Sequence, residues 1–314
     1  MKKNLSFGEF LIAILILFVG TSVVSSSYTE NIEQYEGRRV TIDGYGSFEQ
    51  IILFSDDFDD NSKDYSKWAE IFSDGIWDEE NQRAEFQLFE PGQGSHNFEG
   101  LESTEIIAPL NPASPIIINW DMIVNIQSTN WAGSLFLKVT DGTNWLKAEY
   151  SRYLQSTRYR DSNDGGYIVL NDNKPYGTFS NEIQLFSDRY ILQMDNDNTG
   201  PIYDFLFSLG IPLKIQIYIE SAGDQTTLYF RSGFDNVKVS FEEPETKRVF
   251  IFGRIENLKE TEVFILFDAV KTRVVTFIPF SFDTYISGKT IVIFGTKIGM
   301  LSDKFVFGFF NMAT

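Results

Sequence analysis

The chain has 314 residues, 26 Lys and Arg against 44 Asp and Glu, and a formal charge of −18 with its one histidine, His96, neutral. Such an acidic excess excludes a general nucleic-acid binder, because affinity for phosphate backbones comes from surplus Lys and Arg. Zero cysteines exclude disulfide scaffolds, thiol catalysis and iron–sulfur clusters, one histidine excludes a multi-histidine metal site within one chain, and 43% hydrophobic residues are too many for a disordered chain.

Residues 1–27 read as a signal peptide or a membrane anchor. Lys2 and Lys3 precede an apolar run from Phe10 to Val24, which ends in Ser25, Ser26 and Ser27. The run is shorter than the roughly 20 residues of a spanning helix, so a cleaved signal and an anchor through residues 10–24 both stay open. A pilin-type leader cut after Gly8 fits only in part, because Glu9 follows the glycine directly. An extracellular or cell-surface location follows, and an exported chain without cysteine suits a prokaryotic surface.

After residue 30 the apolar period is two, the strand period, with Phe, Tyr, Ile, Val and Thr filling the runs. Strands are predicted near Arg83 to Phe89, Ile116 to Ile126, Ser134 to Thr140, Trp145 to Tyr153, Tyr167 to Leu170, Leu213 to Glu220, Thr226 to Arg231 and Phe234 to Phe241. Polar clusters, "DGTN" from Asp141 and "DSNDGG" from Asp161 among them, mark turns. Short strands at even spacing predict an all-β sandwich or barrel, since each sheet must bury one face. A repeat divides the chain. "RVTIDGYGSFEQIILFSD" from Arg39 matches "RVFIFGRIENLKETEVFILFDA" from Arg248, and more loosely "SGKTIVIFGTKIGM" from Ser287. The segments are an N-terminal β-hairpin (28–54) expected to pack on the C-terminal domain, a middle (55–242), and a C-terminal β-domain (243–314). The middle carries 30 Asp and Glu against 13 Lys and Arg.

The middle opens on "FSDDFDDNSKDYSKW" from Phe54 and closes on "SGFDNVKVSF", Ser232 to Phe241. Both ends resemble concanavalin A-like jelly-roll domains of the laminin-G and glycosidase type. The resemblance implies a jelly-roll sandwich and a structural Ca²⁺ held by Asp57 and Asp235. The oxygen-rich set Asp56, Asp57, Asp59, Asp60 and Asn61 suits a hard cation, or is a solvated acidic loop. Glycosidases of this fold carry their carboxylates at E-x-D-x-E spacing, which aims them at one groove. That pattern is absent: Glu99, Glu102 and Glu105 are three apart, and only a pair assembled from different strands would escape notice. No catalytic residue is therefore assigned, and a non-enzyme is expected.

A binding platform is easier to motivate. In "NWLKAEYSRY", alternation sends Leu146, Ala148 and Tyr150 to one face and Trp145, Lys147, Glu149 and Tyr153 to the other, an aromatic and charged mixture that stacks on sugars and bonds their hydroxyls. The same face suits a solvated outer surface. Neighbouring strands offer Arg83, Glu85 and Gln87, or Lys214, Gln216, Tyr218 and Glu220. Trp131, in a turn, is a further candidate, whereas Trp120 shares the core face of Met122, Val124 and Ile126. The C-terminal domain reads as five strands, "RVFIFGRI", "EVFILFDA", "TRVVTFIPF", "KTIVIFGTKI" and "DKFVFGFF", and resembles an OB-like barrel. Its surplus Phe is expected to pack on the jelly roll or on another subunit. The expected function is an exported or surface-anchored, non-catalytic glycan-binding or adhesion protein with polysaccharide as partner. The alternatives are a self-associating subunit of a surface filament or layer and, less favoured, a glycoside hydrolase.

Overall fold

The computed structural model describes residues 50–88, 95–108, 115–128, 133–204, 206–207, 211–223, 230–242, 246–261, 264–277 and 280–313. In chain order the strands are β1 (Gln50–Asp56), β2 (Trp68–Ser73), β3 (Gly75–Glu79), β4 (Ala84–Leu88), β5 (Ser95–Ser103), β6 (Ile106–Ile107), β7 (Ile116–Ser128), β8 (Gly133–Thr140), β9 (Trp145–Ser151) and β10 (Ser156–Asp161). They continue with β11 (Ile168–Asn171), β12 (Thr178–Leu185), β13 (Tyr190–Met194), β14 (Asp197–Asn198), β15 (Pro212–Gly223), β16 (Phe230–Glu242), β17 (Thr246–Glu260), β18 (Phe264–Phe277), β19 (Phe280–Ser302) and β20 (Phe305–Ala313). Turn chemistry sets the connections. Asp141 Oδ1 accepts from the amides of Thr143 (2.8 Å) and Asn144 (2.6 Å), and Asp161 Oδ1 accepts from those of Asn163 and Asp164, as Asx turns do.

Sixteen strands form two antiparallel sheets. Sheet I runs β14-β13-β12-β7-β16-β4-β3, with β1 also on β16; sheet II runs β11-β10-β9-β8-β15-β5-β2, with β6 also on β15. Their facing sides supply the core: Leu101, Ile217, Leu137 and Ala148 make one cross-strand row of sheet II, opposed by Ile116, Ile118, Trp120 and Met122 of sheet I, all buried. The all-β sandwich expected from the alternation is thus observed, with Trp120 in its core. β1 crosses the expected boundary after residue 54 and pairs with β16, from Gln50↔Glu242 to Asp56↔Val237. Residues 28–49 of the expected hairpin and the apolar run 10–24 lie outside the described residues; among the described residues no helix is long and apolar enough to cross a membrane.

β17 to β20 close into a barrel of four strands, because β20 pairs with both β19 and β17. The five-strand, OB-like expectation is corrected here: "EVFILFDA" and "TRVVTF" are one strand, β18, which keeps pairing with β19 through a register shift at Ala269/Lys271 instead of turning. Val249, Ile251, Phe267, Val274, Ile293 and Val306 fill the interior. Gly253 lets β17 and β18 approach; its φ is +148°, and a Cβ there would lie 2.3 Å from the Lys271 carbonyl oxygen. Some of the surplus Phe joins barrel to sandwich, since Phe264 and Phe294 pack on Phe241 with ring centroids 6.1 and 5.9 Å away. Both modules belong to one compact unit.

Candidate functional site

The outward side of sheet II is a grooved, charged surface. Register aligns two rows on it: Glu102, Gln216, Lys138, Lys147 and Arg160, and beside them Gly100, Tyr218, Phe136, Glu149 and Arg158. An outward face should be wet, yet Phe136, Tyr218 and Glu149 are 1%, 7% and 0% exposed. Neighbouring side chains cover them and make a floor. Tyr218 stacks on Phe136 at 4.6 Å, with Phe72 edge-on at 5.5 Å. Gly100 permits this, since a Cβ there would lie 2.3 Å from the Tyr218 Cβ and 2.7 Å from the Ile217 carbonyl oxygen. Tyr167, beyond β10, covers the other end, with its ring 4.0 Å from the Arg158 guanidinium and 4.9 Å from that of Arg160. Trp145 lies 5.1 Å from Arg160. Toward Lys214 the groove opens into a cleft of about 480 Å³ lined by Glu102, Lys138, Thr140, Pro212, Lys214 and Gln216 among others.

Charge on this floor is tightly arranged. Glu149 Oε1 accepts from Arg158 Nη2 at 2.6 Å. Burial first, and then the Glu149 charge and its hydrogen bond, push the Tyr167 phenol up. Burial also pushes the Lys147 ammonium down to about 8; Arg160 and Lys138 repel it, and Glu149 and Glu220 oppose the shift. Both carboxylates therefore act on Lys147, although they come from β9 and β15. His96 Nδ1 lies 2.5 Å from Glu220 Oε1. Burial works against the Glu102 charge, but hydrogen bonds from Lys214 and Gln216 hold its carboxyl below the usual range.

Trp145, Lys147 and Glu149 share this outward face, as alternation required. Glu149 is not the sugar-facing group expected, because Arg158 and Tyr167 cover it. Tyr153 stands apart: β9 ends at Ser151, and Tyr153 is 59% exposed in the following turn. Trp131 lies outside the described residues. Of the two alternative strands, that of Lys214, Gln216, Tyr218 and Glu220 does flank the platform. The other is corrected, since Glu85 and Gln87 belong to β4 of sheet I and Arg83 directly precedes it, with Glu85 ion-paired to Arg83 and Arg231. Asp57 and Asp235 come within electrostatic reach. Burial, with Asp121, Asp59 and Asp57 adding, pushes the Asp235 carboxyl up to about 6. That uncompensated negative charge suits a cation, but among the described residues no three His, Cys, Asp or Glu converge as ligands. Arg158, Arg160, Lys138 and Phe136 were missed; the alternation of "STRYRD" and "SLFLKVT" could have placed them on the platform's face.

No family model matches the chain, and no curated protein matches it. Solved structures resemble it. A GlcNAcα1-4Gal-releasing endo-β-galactosidase from Clostridium perfringens is 11% identical with a TM-score of 0.48, over 86% of this chain and 80% of that one. An endo-β-1,3-glucanase from Pyrococcus furiosus is 10% identical with a TM-score of 0.48, over 65% and 98%. The laminarinase catalytic domain from Thermotoga petrophila is 11% identical with a TM-score of 0.46, over 62% and 99%. At these identities the likeness concerns the jelly-roll fold. These neighbours are endo-acting glycosidases, and the expectation of a non-catalytic adhesion protein without enzymatic activity is corrected against them. Glu149 on β9 and Glu220 on β15 share the outward face of sheet II although they are 71 residues apart, a proximity that spacing along one strand does not reveal.

Proposed function

We propose that the protein cleaves a polysaccharide chain laid along the groove of sheet II, with Glu149 and Glu220 as the reacting carboxylates. The observation that carries this is that both stand on the outward face of sheet II beside the floor of Phe136 and Tyr218, each within electrostatic reach of Lys147. Glycoside hydrolysis needs one carboxyl to protonate the leaving oxygen and a second to attack or to activate water. Glu220, partly exposed and bonded to His96, is the accessible proton donor. Glu149, ion-paired with Arg158, is the second carboxylate, which takes the proton of the water that attacks the sugar carbon; this role requires the Tyr167 ring to give substrate access to it. Aromatic faces below the chain orient its rings. Export to the cell surface, read from residues 1–27, would bring the groove to its substrate.

The test is the release of new chain ends from a panel of neutral and anionic polysaccharides by the full-length protein. Glu149→Gln and Glu220→Gln should each lower the rate at least a hundredfold, with the melting temperature (Tm) within a few degrees of wild type. No new ends from any polysaccharide, or variants as active as the wild type, would overturn the assignment.

A further inference from the structure

One row of the groove is electrostatically unfavourable by itself. Lys138 stands directly opposite Lys147, and Lys147 directly opposite Arg160, on the neighbouring strands β8, β9 and β10. Like charges so paired repel. Among the described residues no carboxylate forms a salt bridge with any of the three, because the nearby ones are engaged: Glu149 by Arg158 at 2.6 Å, Glu102 by Lys214 at 2.6 Å and Glu220 by His96 at 2.5 Å. The Nε atoms of Arg158 and Arg160 are buried without a hydrogen-bond partner among the described residues. The local balance also runs against that of the chain. Residues 55–242 carry 30 acids and 13 cations, yet the outward face of β8, β9 and β10 gathers Lys138, Lys147, Arg158 and Arg160 around Glu149, while Glu102, Glu105 and Asp141 line the cleft at the Lys214 end. An acidic protein with a cationic groove draws anions to the groove and repels them elsewhere.

We propose that the row Lys138, Lys147 and Arg160 is the subsite for the acidic groups of an anionic polysaccharide, carboxylate or sulfate. The idea rests on the polysaccharide groove proposed above and names the class of chain that fills it. Three strands place the cations over roughly 10 Å, a span that meets acidic groups on successive sugars. A neutral chain would cover the three charges without answering them, which disfavours it. Burial and mutual repulsion already push Lys147 down to about 8, a strain that a bound anion relieves.

Binding of the full-length protein to a polyuronate, a sulfated galactan and a neutral β-glucan, by affinity electrophoresis at low and high salt, tests the subsite. At least one polyanion should bind tenfold or more tighter than the glucan, and less tightly as salt rises. The preferred polyanion identifies the acidic group. Lys147→Gln and Arg160→Gln should each lose at least fivefold in polyanion affinity, and Lys147→Gln should melt within a few degrees of wild type, since the lost repulsion offsets the lost contacts with Phe136 and Tyr167. If Arg160→Gln melts lower through lost stacking, Lys147→Gln decides. Glucan binding as tight as polyanion binding, or a Lys147→Gln protein that binds the polyanion as wild type does, overturns the subsite and leaves the groove standing. Binding of none of the three chains overturns both.

Discussion

Acidification from pH 7.5 to pH 5 should stabilise this protein, and two buried carboxyls set the size of the effect. Glu79 and Glu99 are 4% and 2% exposed, and burial pushes each up to about 7 from an ordinary 4.5. Charged neighbours add to it: Asp56 and Asp60 for Glu79, Glu70 and Asp74 for Glu99. Glu99 sits where the chain passes from β2 in sheet II to β3 in sheet I, accepting from the Gly75 amide at 3.0 Å. A raised carboxyl binds more protons folded than unfolded, so its contribution is complete below about 4.5 and is lost as pH rises through about 7. A shift of that size corresponds to at most about 3 kcal/mol per group. Realising even about 2 kcal/mol moves Tm by roughly 3 °C if the whole chain melts as one unit, and by roughly 4–8 °C if a sandwich of about 150–250 residues melts by itself. Scanning calorimetry between pH 5 and 7.5 avoids the range in which Glu102 and Asp64, both held low, lose their own contributions. Acid also relieves the general negative charge and protonates Asp235, raised to about 6, so the double variant Glu79→Gln, Glu99→Gln is the control: its amide oxygens can still accept from Ser62 and Gly75, and its Tm should rise on acidification by less than half as much as the wild type's. A wild-type Tm that rises with pH across this window, or a double variant with the wild-type slope, would refute the reasoning.

A chelator should lower Tm if Asp57 and Asp235 hold calcium, because an ion bound only by the folded state stabilises it as RT ln(1 + [L]/Kd). Neither a shift nor calcium by elemental analysis would remove that site. Gly100→Ala should cost about 1–3 kcal/mol by urea denaturation, since the new methyl meets Tyr218 and the Ile217 carbonyl and β5 must part from β15. A cost below about 0.5 kcal/mol would mean that the floor adapts where close packing says it cannot.

Much of the sandwich was legible because one-sided burial forces period two. Leu146, Ala148 and Tyr150 went to the core and Lys147 outward for that reason alone. Sheet order was not legible: β15 lies between β8 and β5, although 71 residues separate the end of β8 from the start of β15. Only that order brings Glu220 toward Lys147. The barrel was misread at Val270 and Lys271, where a strand break was assumed although neither glycine nor proline marks one; a bulge absorbs the irregularity and the strand runs on. Glu99 and Glu102 show the limit from the other side. Their spacing correctly sets them on opposite faces, but nothing local says that Glu99 meets the Gly75 amide, because that contact depends on how β2 and β3 leave their sheets.

The groove resolves a conflict between stability and charge in a way that bears on its use. Two directly opposed pairs of cations cost on the order of 1 kcal/mol, a tolerable fraction of the 5–15 kcal/mol that holds a typical domain together. The usual remedy is a carboxylate in each gap, which would neutralise the row. Here rings take that place. Lys147 lies 4.6 Å from the Phe136 centroid and 5.2 Å from that of Tyr167, Lys138 lies 5.9 Å from Trp145, and Arg160 lies between Trp145 and Tyr167. Each such contact recovers about 0.5–1 kcal/mol through the ring's negative face, which fixes the position of the cation without cancelling its charge. Aromatic faces also suit the apolar sides of sugar rings, so the side chains that keep the row charged are the ones a sugar chain would stack upon. Replacing Trp145 or Tyr167 with an acidic residue would steady the strands as well and would remove the positive potential along the groove.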